Sequence, residues 1–114
     1  MTTSIETIAV ASDQVSAASA LLAILTAHPS LPAPDVQLKV TSVPGTYDWT
    51  WGLYIALHYG LGQFEQWRAA LGLDPATVEQ KQHGTTAWLI ATGTHSGVPV
   101  ELYGFYPHDT DDER

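Results

Sequence analysis

The residues best suited to chemistry lie in one stretch, YDWTWGLYIALHY at positions 47–59. It holds a carboxylate, Asp48, a phenol, Tyr54, and an imidazole, His58. These types can serve as acid, hydrogen-bond donor and base. Their spacing argues against a joint role. On an extended chain Asp48 and Tyr54 stand ~20 Å apart, and Tyr54 and His58 ~13 Å. Each needs a partner from another strand. Glu101 is a candidate companion, as an acid pair with Asp48 or in a cleft where Asp48, Tyr54 or His58 converges with it.

Other chemistry is weaker. No two of the five histidines stand three or four residues apart, so no helical ligand pair exists, and no metal site is expected. His83 and His95 fall in turns at opposite ends of one expected strand, ~30 Å apart. GTHSG (93–97) is G-x-x-S-G rather than the G-x-S-x-G of a nucleophile elbow, and it lies between strands, so Ser96 suits a four-residue hairpin loop. Gly60-Leu61-Gly62 lacks the lysine or third glycine of a phosphate loop. No catalytic residue and no cofactor follow from these patterns.

The elements that must position these residues can be read from their spacing. Residues 14–27, QVSAASALLAILTA, form a helix with Ser12 or Asp13 as N-cap. Val15, Ala18, Leu22 and Leu25, widened by Leu21, recur at helical spacing as its core-facing stripe. His28-Pro29 ends it. VQLKVTS (36–42) alternates as a half-buried strand, and VPGT supplies a turn. In the 47–59 stretch every odd position from Tyr47 to Leu57 is apolar or aromatic, which predicts a strand with Trp49 and Trp51 in the core. The even positions, including Asp48, Tyr54 and His58, form the other face.

A second helix follows at 63–71, with Phe64, Trp67 and Leu71 toward the sheet and Glu65 in its first turn. Gly72 suits a left-handed C-terminal position, with Leu73 packing back on Trp67. Three strands end the domain at 78–82, 85–93 and 98–106. In the last, Glu101, Tyr103 and Phe105 share a face. The order α-β-β-α-β-β-β predicts an α+β two-layer sandwich, a mainly antiparallel sheet with both helices on one face. Residues 1–108 make one domain, and 109–114 an acidic disordered tail.

The totals exclude some partners. The formal net charge is −8, of which the tail holds four acids against Arg114, leaving −5 on residues 1–108. With Lys39, Arg68 and Lys81 the only bases in that body, no basic patch can neutralise phosphates, so neither nucleic acid nor an anionic membrane is an expected partner. No cysteine means no disulfide and no thiolate chemistry. The N-terminus has no signal-peptide layout, and the longest apolar run is about half a membrane span. A cytoplasmic protein is expected.

The connector Leu31–Pro34 (LPAP) and the segment Gly97–Glu101 (GVPVE), preceded by Gly93, carry a resemblance. Over roughly residues 14–106 the chain resembles small uncharacterised actinobacterial proteins that travel with phages and integrated mobile elements. That group has no established activity, and the resemblance implies a setting and no mechanism.

These readings rank three functions. The first is a non-enzymatic accessory protein acting through protein contacts, as a homo-oligomer such as a homodimer. Its interface or ligand surface would be Asp48, Tyr54, His58, Tyr103 and Phe105. The second is a small-molecule binder or modest enzyme with a sheet–helix cleft. The third is an acidic inhibitor that mimics nucleic acid. As core residues, Trp49 and Trp51 should each cost ~3–5 kcal/mol when changed to Ala, read from denaturant melts. Lost binding with unchanged melting would overturn that assignment.

Overall fold

The computed structural model describes residues 8–43 and 45–107, so the acidic tail lies outside the described residues. A 3₁₀ turn, Ala11–Gln14, leads into helix α1, Val15–Ala27. Strands β1 (Asp35–Ser42) and β2 (Trp49–Leu57) follow, then helix α2 (Leu61–Leu71). A 3₁₀ turn at Pro75–Thr77 precedes β3 (Glu79–His83), β4 (Thr86–His95) and β5 (Val98–Pro107). The class is α+β, in the order α-β-β-α-β-β-β. The strands form one sheet in the order β1-β2-β5-β4-β3. All neighbours are antiparallel except β2 and β5, which run parallel. A parallel pair needs a crossover, and α2 with the β3–β4 hairpin supplies it.

Both helices cover one face. Leu53, Ile55 and Leu57 of β2 and Val98, Val100 and Leu102 of β5 are buried with Ala17, Ala20, Ile24, Phe64 and Trp67. Phe64 sits on β5 where the strand has no side chain. A Cβ on Gly104 would stand 2.7 Å from the Phe64 Cβ. Leu73 fills the matching space over Gly93 of β4. The Trp67 indole N–H donates to the Pro32 carbonyl (2.8 Å), and His28 meets the ring edge-on, so α2 holds the proline connector in place. A buried indole needs such a partner.

The end of α2 has the form its sequence implies. Gly72 adopts φ 69°, and the Leu73 and Gly72 N–H groups donate to Arg68 and Ala69 carbonyls, a Schellman ending. Arg68 also donates to the Leu73 carbonyl. Because α2 starts at Leu61, Glu65 lies in the second turn and pairs with Arg68, whose hydrogen bonds hold its carboxyl below the usual range. At the other helix Asp13 caps differently from expectation. Its carboxylate reaches back to the Ala9 and Val10 N–H groups (both 3.1 Å) from inside the 3₁₀ turn.

Two core assignments change. In α1 the buried positions are Ala17, Ala20 and Ile24, while Val15, Ala18, Leu22 and Leu25 face outward. The small Ala17 and Ala20 let the backbone approach a sheet already filled by large side chains. In β2 the odd face is core only from Leu53 onward. Trp51 is half-buried, Trp49 is 50% exposed, and Tyr47, before the strand, is 98% exposed. The helical layer ends near Trp51, which shares a cleft with Ser12, Asp13 and Ser16 at the start of α1. The cost of losing a core tryptophan therefore does not carry over to Trp49.

The Gly104 contact is testable. Gly104→Val should lower stability by ~1–3 kcal/mol through overpacking against Phe64. Gly62→Ala, a helical position with open space around it, should be neutral or stabilising by up to ~1 kcal/mol. Urea titration followed by tryptophan fluorescence would distinguish the two.

Candidate functional site

Alternation places the even residues of β2 and the odd residues of β1 and β5 on the face opposite the helices. The two-residue loop Ser96–Gly97, both at positive φ (52° and 83°), joins β4 to β5 as a primed turn allows. It is shorter than the four-residue loop the sequence suggests. It pairs His95 with Val98 and, counting outward, Trp88 with Phe105. The parallel pairing of β2 with β5 puts Tyr54 beside Glu101 and Ala56 beside Tyr103.

Aromatic rings therefore run across three strands. Tyr54 and Tyr103 lie 4.8 Å apart between ring centroids, and Tyr103 and Phe105 5.9 Å. Phe105 stacks on His58 at 5.0 Å with planes 6° apart, and reaches Trp88 at 5.9 Å. Tyr54, Trp88, Tyr103 and Phe105 are half-buried, and His58 is exposed. The Lys39 ammonium stands 5.3 Å from the Tyr54 ring, within cation–π range.

Polar groups frame this strip. The Thr41 hydroxyl donates to Glu101 Oε2 (2.8 Å), and Lys39 Nζ lies 3.5 Å from Oε1. These contacts cross β2 over Gly52. A Cβ there would come 2.7 Å from both the Pro99 carbonyl oxygen and Thr41 Cγ2, so only glycine leaves the strands this close. His58 Nε2 meets Asp35 Oδ2 at 3.0 Å. Burial, followed by the charges of Asp35 and Glu101, raises the Tyr54 phenol. Burial, followed by the charge of Glu101, also raises that of Tyr103. Both phenols stay protonated as donors at neutral pH.

Of the residues read from sequence, Tyr54, His58, Tyr103 and Phe105 come together. Asp48 does not. It sits in the β1–β2 turn, its carbonyl accepting from the Val43 N–H, with all of β2 between it and His58. It is also six residues along β2 from the position beside Glu101, so no Asp48–Glu101 pair forms. Glu101 and Tyr54 converge on the open face, not between sheet and helices. A cleft of about 370 Å³ lies at the start of α1, lined by Ser12, Asp13, Ser16, Thr50, Trp51 and Ser96 among others, and holds none of the expected residues. Sequence reading missed Trp88, Lys39 and Thr41 as members. The Ser-Gly turn carries the register that would have found Trp88.

The Glu101 carboxylate is held on both oxygens, and His58 is engaged by a ring and an acid. What remains is an aromatic strip with the Lys39–Glu101 and His58–Asp35 contacts at its edge. No protein-family model, curated protein or solved structure matches this chain.

The phenols give a pH test. A pKa raised above the ordinary 10.0 leaves stability intact below pH ~10 and removes it as pH climbs through the folded-state values. Alkaline unfolding should therefore begin above pH ~10. Tyr54→Phe with Tyr103→Phe should flatten that fall and delete the latest part of the phenolate absorbance titration. An unchanged titration would show that neither phenol is shifted.

Proposed function

We propose that this protein is a non-enzymatic interaction module, an accessory of a bacterial or phage element, whose aromatic sheet face docks on a protein partner. The observation that carries this reading is the strip Tyr54–Tyr103–Phe105–His58 with Trp88, on the one sheet face that the helices leave open. Large rings held by one another lose little entropy on binding, and tyrosine and tryptophan are frequent interface anchors. The paired charges around them suit a polar rim. The mimic reading has less support among the described residues. Asp35, Glu65, Glu79 and Glu101 each face a base or histidine rather than forming an acidic array. Among the described residues no helix is long and apolar enough to cross a membrane.

Site-specific photocrosslinking in the producing cell tests this. With benzoylphenylalanine in place of Tyr103, irradiation should join the chain to another polypeptide. In place of Gln66, exposed on α2, it should not. Crosslinks from the α2 position alone, or an adduct of small-molecule mass at position 103, would overturn the proposal.

A further inference from the structure

The two edges of the sheet differ. β3 has five residues, polar and exposed throughout, the form in which edge strands are ordinarily protected from further pairing. β1 has eight residues and, among the described residues, pairs with β2 alone. Val36, Leu38 and Val40 are half-buried on its helical side, while α1 rests on β2 and β5. The backbone groups that point outward can be counted. The Val43 N–H donates to the Asp48 carbonyl, so this is a hydrogen-bonded pair, and bonded and non-bonded pairs alternate back along the two strands. Asp35, Gln37, Lys39 and Thr41 therefore bond to β2. Val36, Leu38 and Val40 turn their N–H and C=O groups to the open edge.

We infer that this edge pairs antiparallel with the same edge of a second copy, about a two-fold axis at Gln37. The charge order of β1 selects that occupant. On the open-face side the strand reads Asp35, Gln37, Lys39. Laid antiparallel on itself with Gln37 facing Gln37, it sets Asp35 opposite the second copy's Lys39, and Lys39 opposite its Asp35. An axis at residue 35 would set Asp35 on Asp35, and one at residue 39 would set Lys39 on Lys39. An axis at residue 36 or 38 would leave both charges facing uncharged residues. Opposite charges facing across strands stabilise a pairing and like charges oppose it. The match also extends contacts already present. Lys39 lies 3.5 Å from Glu101, and Asp35 3.0 Å from His58. Acid and base then alternate from Glu101 through Lys39 to the second copy's Asp35 and His58. This matters for a chain of net charge −8, whose copies otherwise repel. Val36 exchanges backbone hydrogen bonds with the second copy's Leu38, and Leu38 with its Val36, about four bonds in all. Their side chains meet on the helical side. Pro34, with no N–H to give, ends the run. So short a contact makes a reversible dimer. It joins two sheets edge to edge and puts both aromatic strips on one continuous face.

The absence of cysteine allows the axis to be located. Single variants Gln37→Cys, Gln80→Cys on β3, Leu22→Cys on α1 and Gln66→Cys on α2, all at exposed positions, are oxidised under identical conditions. Gln37→Cys should form an interchain disulfide at least ~10-fold faster than any other, through the raised local concentration at the axis. Charge exchange tests the register in sedimentation velocity. The cysteine-free chain should shift toward dimer as its concentration rises. Asp35→Lys alone and Lys39→Asp alone should each stay monomeric with nearly unchanged melting temperature. An equal mixture of the two should dimerise, because each chain then faces opposite charges. A monomer throughout, equal coupling at all four positions, or fastest coupling at another position would overturn the proposal. So would a mixture that associates no more than its components.

Discussion

The contact on which this structure depends is the Phe64 side chain seated on the bare backbone of Gly104. It brings α2, part of the crossover between the parallel strands β2 and β5, down onto β5, the central strand. The junction of β2 and β5 on the open face follows from that pairing. Tyr54 stands beside Glu101, and Glu101 reaches Thr41 and Lys39 across Gly52. A larger residue at position 104 would lift the helix, and the cost would be felt on the opposite side of the sheet.

Glycine recurs in this role. Gly93 receives Leu73 on the helical side, and Gly52 lets polar side chains meet over a strand on the other. Glycine weakens a strand by entropy and by the lost side chain. Here each such loss is offset by a close contact that would otherwise be sterically closed. The two layers are thus joined by large side chains entering gaps in the sheet as well as by area burial.

The resulting molecule is acidic overall yet has two large surfaces of little net charge. On the open face Lys39 answers Glu101 and His58 answers Asp35 around the rings. On α1 charge is absent. Such segregation leaves the remaining surface to carry the acids that maintain solubility. The two surfaces occupy opposite sides of the sandwich.

The sequence by itself determined the class, the order of elements and most of their limits. Alternation in residues 36–42 and 98–106, glycine and proline punctuation, and the Gly72 ending are local effects. It also determined that Tyr54, Tyr103 and Phe105 would share faces with their own strand neighbours. Strand order was not legible, because alternation says which way a side chain points and nothing about which strand lies beside it. Trp88 joined the site only through register. Asp48 lies outside it because six residues of extended chain separate it from Tyr54, the position beside Glu101. The inward face of α1 was undecidable from spacing, since the helix is apolar nearly all round and either stripe satisfies the period. Packing chose Ala17, Ala20 and Ile24, because small residues allow the closest approach to a filled sheet. Tertiary structure alone decided that Leu22 and Leu25 would be left outside.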